Sequence, residues 1–206
     1  NFDEDFRNSM NNYGQDHIKN LKKNYKNFQV SFFKPKVPKY LFFLPYSWKM
    51  RIARYFFYAL QIKNLPEVDI AHVVDHQYAH LVLGIKAKNK IITVHDLQSV
   101  VLQKKYNRNP LLFKYSLKHL NFFDNIITIS NKSKIDLLKY TNVESKKIKV
   151  LYQPSQKEFN EKNINKKFVL RYINKSKSIK ILTFASAEYK NFDTSYKVFI
   201  KLIKDF

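Results

Sequence analysis

Short β-branched runs alternate with helix-like stretches through the middle of the chain, and this alternation is the feature that most constrains the fold. The runs predict buried strands over residues 67–74, 90–94, 125–129 and 148–152. Apolar residues at three- and four-residue steps predict helices over 77–87, 111–120 and 132–141. Strands joined through helices run parallel, and strands that are apolar almost throughout are covered on both faces. The sequence therefore predicts an α/β fold, with a parallel sheet that has helices on both faces.

The segments on either side of this alternating region predict further elements and a domain boundary. Before it, we expect a helix over 6–26, a strand over Gln29–Phe33 and a helix over 47–63. After it, residues 153–178 are polar and rich in Lys and Asn, which is typical of a linker, and a new strand and helix follow. The predicted organisation is one domain over 1–152, a linker over 153–178 and the start of a second, incomplete domain over 179–206.

The helix predicted over 47–63 has an aromatic stripe whose environment the sequence leaves open. Its apolar face is formed by Trp48, Ile52, Tyr55, Phe56, Ala59 and Leu60. Burial of this face in the core is the interpretation that we expect. A basic, aromatic helix is also typical of segments that rest on an anionic membrane, so a peripheral membrane contact stays open.

Polar side chains follow three of the predicted strands at the point where each strand ends. Asp75 and His76 follow the first strand, His95 and Asp96 the second, and Ser130 the third. The carboxyl ends of parallel strands form one edge of a sheet, where ligands bind in open α/β folds. A histidine there can hydrogen-bond a hydroxyl or a phosphate, and an aspartate can orient its ring. From position alone, His95 is equally well explained as a residue that closes a turn.

Residue types exclude or disfavour several classes of site. The chain has no cysteine, which removes disulfides and thiolate chemistry and is consistent with a reducing compartment. His72, His76 and His80 have the spacing of helical zinc ligands, but His72 falls in a predicted strand, so we expect no metal site. The only glycines are Gly14 and Gly84, and the chain therefore has no glycine-rich phosphate loop.

The formal net charge of +22 is the feature that most suggests a nucleic-acid-binding protein. The positive residues are mostly lysines spread along the whole chain, whereas recognition of bases favours arginine. We therefore expect solvated surface lysines and no nucleic-acid partner.

Five segments of the chain form an ordered set of motifs. They are VDIAHVVDHQYAH at 68–80, IITVHDL at 91–97, IITISNKSKIDL at 126–137, KIKVLY at 147–152 and ILTFASAEYKN at 181–191. In this order they resemble motifs of the retaining glycosyltransferases of family 4, which have the GT-B fold. The resemblance covers most of the chain from about residue 6.

This resemblance implies two Rossmann-like domains that face a cleft, the first binding an acceptor and the second a nucleotide-diphosphate sugar. A hexose would be transferred with retention to a glycan or a lipid-linked acceptor, without a cofactor or a metal ion. The resemblance makes His95 the catalytic residue, facing the donor sugar and the reacting oxygen. Lys190 and Ser186 would bind the donor, where a cation offsets charge on the leaving diphosphate. The acceptor side would be lined by Asp75, His76, Asp96 and Ser130.

The chain departs from the family pattern in ways that predict a fragment. Ala185 stands where the family has a glycine, and Gln153-Pro154 stands where it has Asn-Gly. The first strand of the family and its paired glutamates, which hold the nucleotide sugar, have no counterpart in the chain. We therefore expect part of a cytoplasmic enzyme, peripheral at the inner membrane face if the aromatic helix binds lipid, with little or no transferase activity on its own. A non-catalytic module that binds a glycan or a membrane surface stays open as the alternative.

Overall fold

The computed structural model describes residues 8–101, 111–153 and 192–205. The chain divides into two compact units, 1–153 and 154–206. The helices of the first unit are α1 (Asn8–Asn24), α2 (Tyr46–Ile52), α3 (Tyr58–Lys63), α4 (Gln98–Val101), α5 (Leu111–Lys118) and α6 (Asn131–Tyr140). A π-helical turn, Ala53–Phe57, joins α2 to α3. Short 3₁₀ helices cover Lys39–Leu41, His76–Gly84, His119–Phe122 and Ser145–Lys147.

The second unit contributes one described helix, α7 (Phe192–Asp205). This helix confirms the helix that the sequence predicts after the linker and the new strand. The strand predicted from residue 179 lies outside the described residues, and so do Ser186 and Lys190.

Four parallel strands form the sheet of the first unit and confirm the predicted α/β class. They are β1 (Val68–Val73), β2 (Ala87–Val94), β3 (Asn125–Thr128) and β4 (Ile148–Val150). The spatial order is β1-β2-β3-β4, so neighbours in the chain are neighbours in the sheet. His72 pairs with Ile91 and Val94 with Thr128, which brings the carboxyl ends of the first three strands to one edge.

Helices cover both faces of this Rossmann-like sheet. On one face, Ile92 and Ile126 pack in a fully buried cluster with Phe123 and with Leu137 of α6. The other face lies under α1, where the Tyr13 hydroxyl is 3.3 Å from Thr93 Oγ1. Successive residues of a strand point to opposite faces, and for this reason Ile92 reaches the cluster while Thr93 reaches α1.

The strand predicted over Gln29–Phe33 is wrong, since this segment has no regular secondary structure. Its apolar side chains pack singly instead, and Phe33 lies against the cluster that contains Val37. Just after this segment, the Gln61 side chain bonds both backbone groups of Lys36, as a neighbouring strand would. Its Nε2 donates to the Lys36 carbonyl oxygen at 3.0 Å, and its Oε1 accepts from the Lys36 amide at 3.1 Å.

Burial of the aromatic stripe in the helix over 47–63 is confirmed only in part, since Ile52 and Ala59 pack half-buried against the core while three other members do not. Trp48, Phe56 and Leu60 are exposed. The buried positions are Met50, Ala53, Tyr58 and Ile62. The step of five residues between Ala53 and Tyr58 is the hydrogen-bonding step of a π helix, and the extra residue shifts the phase of the face that follows.

None of the helices in the described ranges has the length and apolar character that crossing a bilayer requires.

Candidate functional site

A partly open cavity of about 240 Å³ lies at the carboxyl ends of β1 and β2. Four of the residues singled out from the sequence line it together: Asp75, His76, His95 and Asp96. The remaining lining residues are Ser9, Met10, Gln77 and Ser99. Two parallel strands end side by side there, and this edge of an open α/β sheet is where ligands commonly bind.

His95 follows β2 directly and is only 7% exposed. Its Nε2–H donates to the Val74 carbonyl oxygen at 3.0 Å. Since a carbonyl oxygen can only accept, this bond places the proton of the neutral ring on Nε2 and leaves a lone pair on Nδ1. The edge of the ring meets Tyr13, with the two centroids 5.0 Å apart. The carbonyl oxygen of His95 accepts from Ser133 Oγ at 2.7 Å, which ties this turn to α6.

A polar layer lies beneath α1 next to His95. His72 Nε2 is 2.8 Å from Thr93 Oγ1, and the His72 ring is 5.0 Å from the His17 ring. Burial, with smaller effects from the charges that His17 and His95 can carry, lowers the pKa of His72 to about 4. Burial also lowers the pKa of His17. His72 is therefore neutral at pH 7, and its ring acts as a hydrogen-bond partner for Thr93 rather than as a cation.

Asp75 begins the 3₁₀ helix that follows β1. Its side chain accepts from the Gln77 amide at 2.9 Å and so caps the first turn, as short acidic side chains commonly do. Its Oδ1 is also 3.7 Å from His76 Nδ1. The His76 ring stands edge-on to Phe113, 5.3 Å between centroids. Both side chains are buried, so the carboxylate and the imidazole are held in one orientation at the cavity wall.

Asp96 and Ser130 have different positions relative to the cavity. Asp96 lines it, is exposed, and accepts from the Gln98 amide at 3.1 Å before α4. Ser130 is not among the lining residues. Its Oγ accepts from the Ser133 amide at 3.0 Å and caps α6. Ser133 Oγ is 3.0 Å from Ser130 Oγ, so Ser130 reaches the His95 turn only through Ser133.

The sequence did not single out Tyr13, Ser9, Gln77 or Ser99 as site residues. Tyr13 and Met10 are three residues apart in the helix predicted over 6–26, so the sequence did indicate that they share one helix face. Where α1 crosses the sheet depends on tertiary packing, which spacing within one helix does not encode. Across the described ranges, no three His, Asp or Glu side chains are arranged to hold a metal ion.

The cavity combines two imidazoles, two carboxylates and two serine hydroxyls in a small volume. Carboxylates accept hydrogen bonds from hydroxyl groups, and the Nδ1 lone pair of His95 can accept another. A ligand with several neighbouring hydroxyl groups satisfies this set of acceptors. Ser130 is not a nucleophile of this cavity, because it does not line it and its hydroxyl is engaged in capping α6.

Comparison with known proteins assigns the chain to a family. The profile of Glycosyltransferase Family 4 matches residues 23–154, which is well over half of the chain. The match contains all four strands and the turns of Asp75 and His95, whereas the part of α1 that lines the cavity precedes it. Neither the curated proteins nor the solved structures contain a match. On the strength of the family match, the chain belongs to glycosyltransferase family 4.

Proposed function

We propose that the first unit is the acceptor-side domain of a retaining glycosyltransferase with the GT-B fold. The reaction is the transfer of a hexose from a nucleotide-diphosphate sugar to a glycan or a lipid-linked acceptor. Family membership supports sugar transfer in general. The observation that carries the proposal is the cavity, where His95 meets two carboxylates at the carboxyl ends of adjacent parallel strands.

His95 is the residue that we propose to touch the reacting sugar. The bond from Nε2 to the Val74 carbonyl oxygen fixes the ring and its tautomer. In the described part of the chain, Nδ1 has no hydrogen-bond partner, so it is available to a ligand hydroxyl. Asp96 is exposed at the rim and Asp75 is buried at the wall, and both accept acceptor hydroxyl groups in this proposal.

The donor side of the proposal rests on residues of the second unit. Lys190 and Ser186 bind the diphosphate, with the Lys190 ammonium offsetting charge on the leaving group. The proposed organisation has an acceptor domain over 1–152, a linker over 153–178 and the beginning of a donor domain over 179–206. No cofactor or metal ion takes part in the proposed reaction. A cytoplasmic location goes with it, and the absence of cysteine from the chain is consistent with that.

The acceptor site can be tested on the 206-residue chain itself by NMR. The chain has six histidines, whose imidazole signals can be assigned one by one. Addition of an acceptor glycan, or of a short-chain lipid-linked sugar, is expected to shift the signals of His95 and His76. The His119 signal serves as the internal control, because its Nδ1 bonds the Tyr115 carbonyl oxygen and the residue does not line the cavity. If no acceptor shifted the signals of His95 and His76, the proposed site would be wrong.

A transfer assay tests the reaction separately from the site. Labelled nucleotide-diphosphate hexoses are offered together with the acceptor that shifts His95. The expected result for the 206 residues alone is little or no labelled product, because the proposal has only Ser186 and Lys190 to bind the donor. Rapid turnover would show that the donor site is complete within the chain. Acceptor binding without turnover in a longer form that includes the donor domain would favour a non-catalytic binding module.

A further inference from the structure

An exposed aromatic surface covers the region around α2 and the loop before it. Its members are Tyr40, Phe42, Phe43, Tyr46, Trp48 and Phe56, and each is at least half exposed. Phe43 reaches 81% and Trp48 reaches 60%. Monomeric proteins seldom leave large apolar side chains clustered in water, and such clusters usually mark a docking site.

Contacts between these side chains join the rings in two groups. The Tyr40 ring lies 5.5 Å from Phe57, and Phe57 lies 5.0 Å from Phe56. The Lys49 ammonium sits 4.3 Å from the centre of the Phe42 ring and 5.7 Å from that of Tyr46. The second group holds a cation among its rings, and both groups belong to the segment from Tyr40 to Phe57.

The opposite side of the same segment already supplies the core. Leu41, Met50, Ala53 and Tyr58 are buried in one cluster beneath the surface. The exposed rings are thus not needed to fill the interior. Folding alone does not account for six aromatic side chains pointing away from this cluster.

Charge indicates what covers the aromatic surface. From residue 17 to residue 66 the sequence has nine lysines and two arginines and no aspartate or glutamate. Lys39 and Arg51 are exposed beside the rings. Aromatic rings and cations in a stretch of sequence without carboxylates match the interface of an anionic bilayer, where rings enter the headgroup region and ammonium groups meet phosphates.

We propose that the aromatic surface docks on an anionic lipid membrane. Trp48, Phe42 and Phe43 enter the headgroup boundary, while Lys39, Lys49 and Arg51 contact lipid phosphates. This inference goes beyond the proposed sugar transfer and holds whether or not the chain is a transferase. A nucleic acid or a protein are the competing occupants, and the experiment separates them from lipid.

Trp48 is the only tryptophan in the chain, so its fluorescence reports directly on the proposed contact. The 206-residue chain is mixed with vesicles of phosphatidylcholine alone, or of phosphatidylcholine with about a quarter phosphatidylglycerol. With the anionic vesicles the emission is expected to shift to the blue, and brominated lipids are expected to quench it. Binding in flotation without a change in Trp48 emission would overturn the proposal, because the chain would then attach by another face. Absence of binding would overturn it as well.

Paired variants test whether the rings carry the binding. Phe43→Ser with Phe56→Ser is expected to weaken vesicle binding by about tenfold or more, since two exposed apolar side chains leave the interface. Phe122→Ser is the control, because Phe122 is 60% exposed in the 3₁₀ helix His119–Phe122, which is not part of the aromatic surface. All three side chains are exposed, so the fold is expected to survive, which circular dichroism checks. Equal binding by the double variant and the control would overturn the proposal.

A second pair tests the cations. Lys39→Glu with Arg51→Glu is expected to reduce binding by at least about fivefold for each charge removed. Lys118→Glu with Lys139→Glu changes the net charge equally at exposed positions of other helices. Equal losses in both variants would show attraction by total charge alone. Duplex DNA that binds as tightly as the vesicles, and through the same residues, would identify the surface as a nucleic-acid site. Either result overturns the proposal.

Discussion

His95 and His80 are almost equally buried, at 7% and 6% exposure, but they differ in how their ring nitrogens are used. In His80, Nε2–H donates to the Arg54 carbonyl oxygen at 3.2 Å, and Nδ1 is 3.0 Å from Ser116 Oγ. In His95, the Val74 carbonyl oxygen takes Nε2–H, and the other nitrogen belongs to a ring that lines the cavity. Burial therefore does not distinguish the two histidines, whereas the number of ring nitrogens that are hydrogen-bonded within the protein does.

The two histidine rings also differ in what surrounds them. His80 stacks against Tyr55 at 4.6 Å, and burial is the largest of the effects that lower its pKa to about 4. The backbone bond to Arg54 acts in the opposite direction. His80 thus stabilises the packing between the π-helical turn, α5 and the 3₁₀ helix after β1 as a neutral group. His95 sits where the sheet edge opens, so its second nitrogen can serve a ligand.

The largest expected effect is the loss of stability in acid. Burial, the largest cause in both cases, lowers the pKa of His80 and of His72 to about 4 from an ordinary value of 6.5. Between these values the unfolded chain binds more protons than the folded one, so the free energy of unfolding falls as the pH falls from 6.5 to 4. Each histidine accounts for up to about 3 kcal/mol of this loss, which is complete below pH 4. Urea unfolding at pH 7 and at pH 4.5 measures it.

The His80→Gln variant separates the two histidines in that experiment. Glutamine does not titrate, so the difference in unfolding free energy between the two pH values is expected to shrink by about half. If the difference in unfolding free energy between the two pH values stayed the same, His80 would not have a lowered pKa. The contrast with His95 would then rest on hydrogen bonds alone.

Removal of the His95 ring is the next largest effect. In a form of the protein that transfers sugar, His95→Ala is expected to lower kcat about 100-fold, because a positioned hydrogen-bonding group at the reacting sugar is lost. The unfolding free energy is expected to fall by no more than about 2 kcal/mol. His80→Gln is the matched control and should keep kcat within about threefold. If His95→Ala kept normal turnover, His95 would be a residue that closes a turn, with a role like that of His80.

Two buried serines provide a smaller and better matched test. Ser116 Oγ contacts His80, and Ser133 Oγ donates to the His95 carbonyl oxygen. Substitution of either by alanine is expected to cost about 1–2 kcal/mol of unfolding free energy, since a buried polar group loses its partner. Only Ser133→Ala should also weaken the acceptor-induced shift of the His95 signal. An equal weakening by Ser116→Ala would show that the two clusters act as one site.

The sequence predicted the sheet and the edge that carries the site for a clear physical reason. Buried parallel strands require continuous β-branched runs, and residues such as His95 that follow them must converge when neighbouring strands run in the same direction. The four strands and the shared cavity of Asp75, His76, His95 and Asp96 follow from this rule.

The errors arise where the structure depends on contacts that a local pattern does not encode. The π turn shifts the helical phase after Ala53, so extrapolating one face across it placed Phe56 in the core. The segment 29–33 has strand-like residues but no regular structure, because such residues favour a strand only where tertiary packing provides a neighbouring strand. Ser130 follows a strand as predicted, yet capping α6 holds its hydroxyl. The position of Tyr13 over His95 depends on how α1 crosses the sheet.

The smallest expected effect is the difference in stability between variants that lack one or the other carboxylate of the cavity. Asp75 and Asp96 both accept a backbone amide two residues ahead, at 2.9 Å and 3.1 Å. Asp75 is 1% exposed and caps a 3₁₀ helix of nine residues, whereas Asp96 is exposed before the short α4. We expect Asp75→Ala to lower the free energy of unfolding by about 1–2 kcal/mol and Asp96→Ala by about 0.5 kcal/mol. Urea titrations at pH 7 measure both. A larger loss of unfolding free energy in Asp96→Ala than in Asp75→Ala would contradict this prediction. It would mean that Asp75 adds little stability through its capping bond, and that its buried carboxylate serves ligand binding instead.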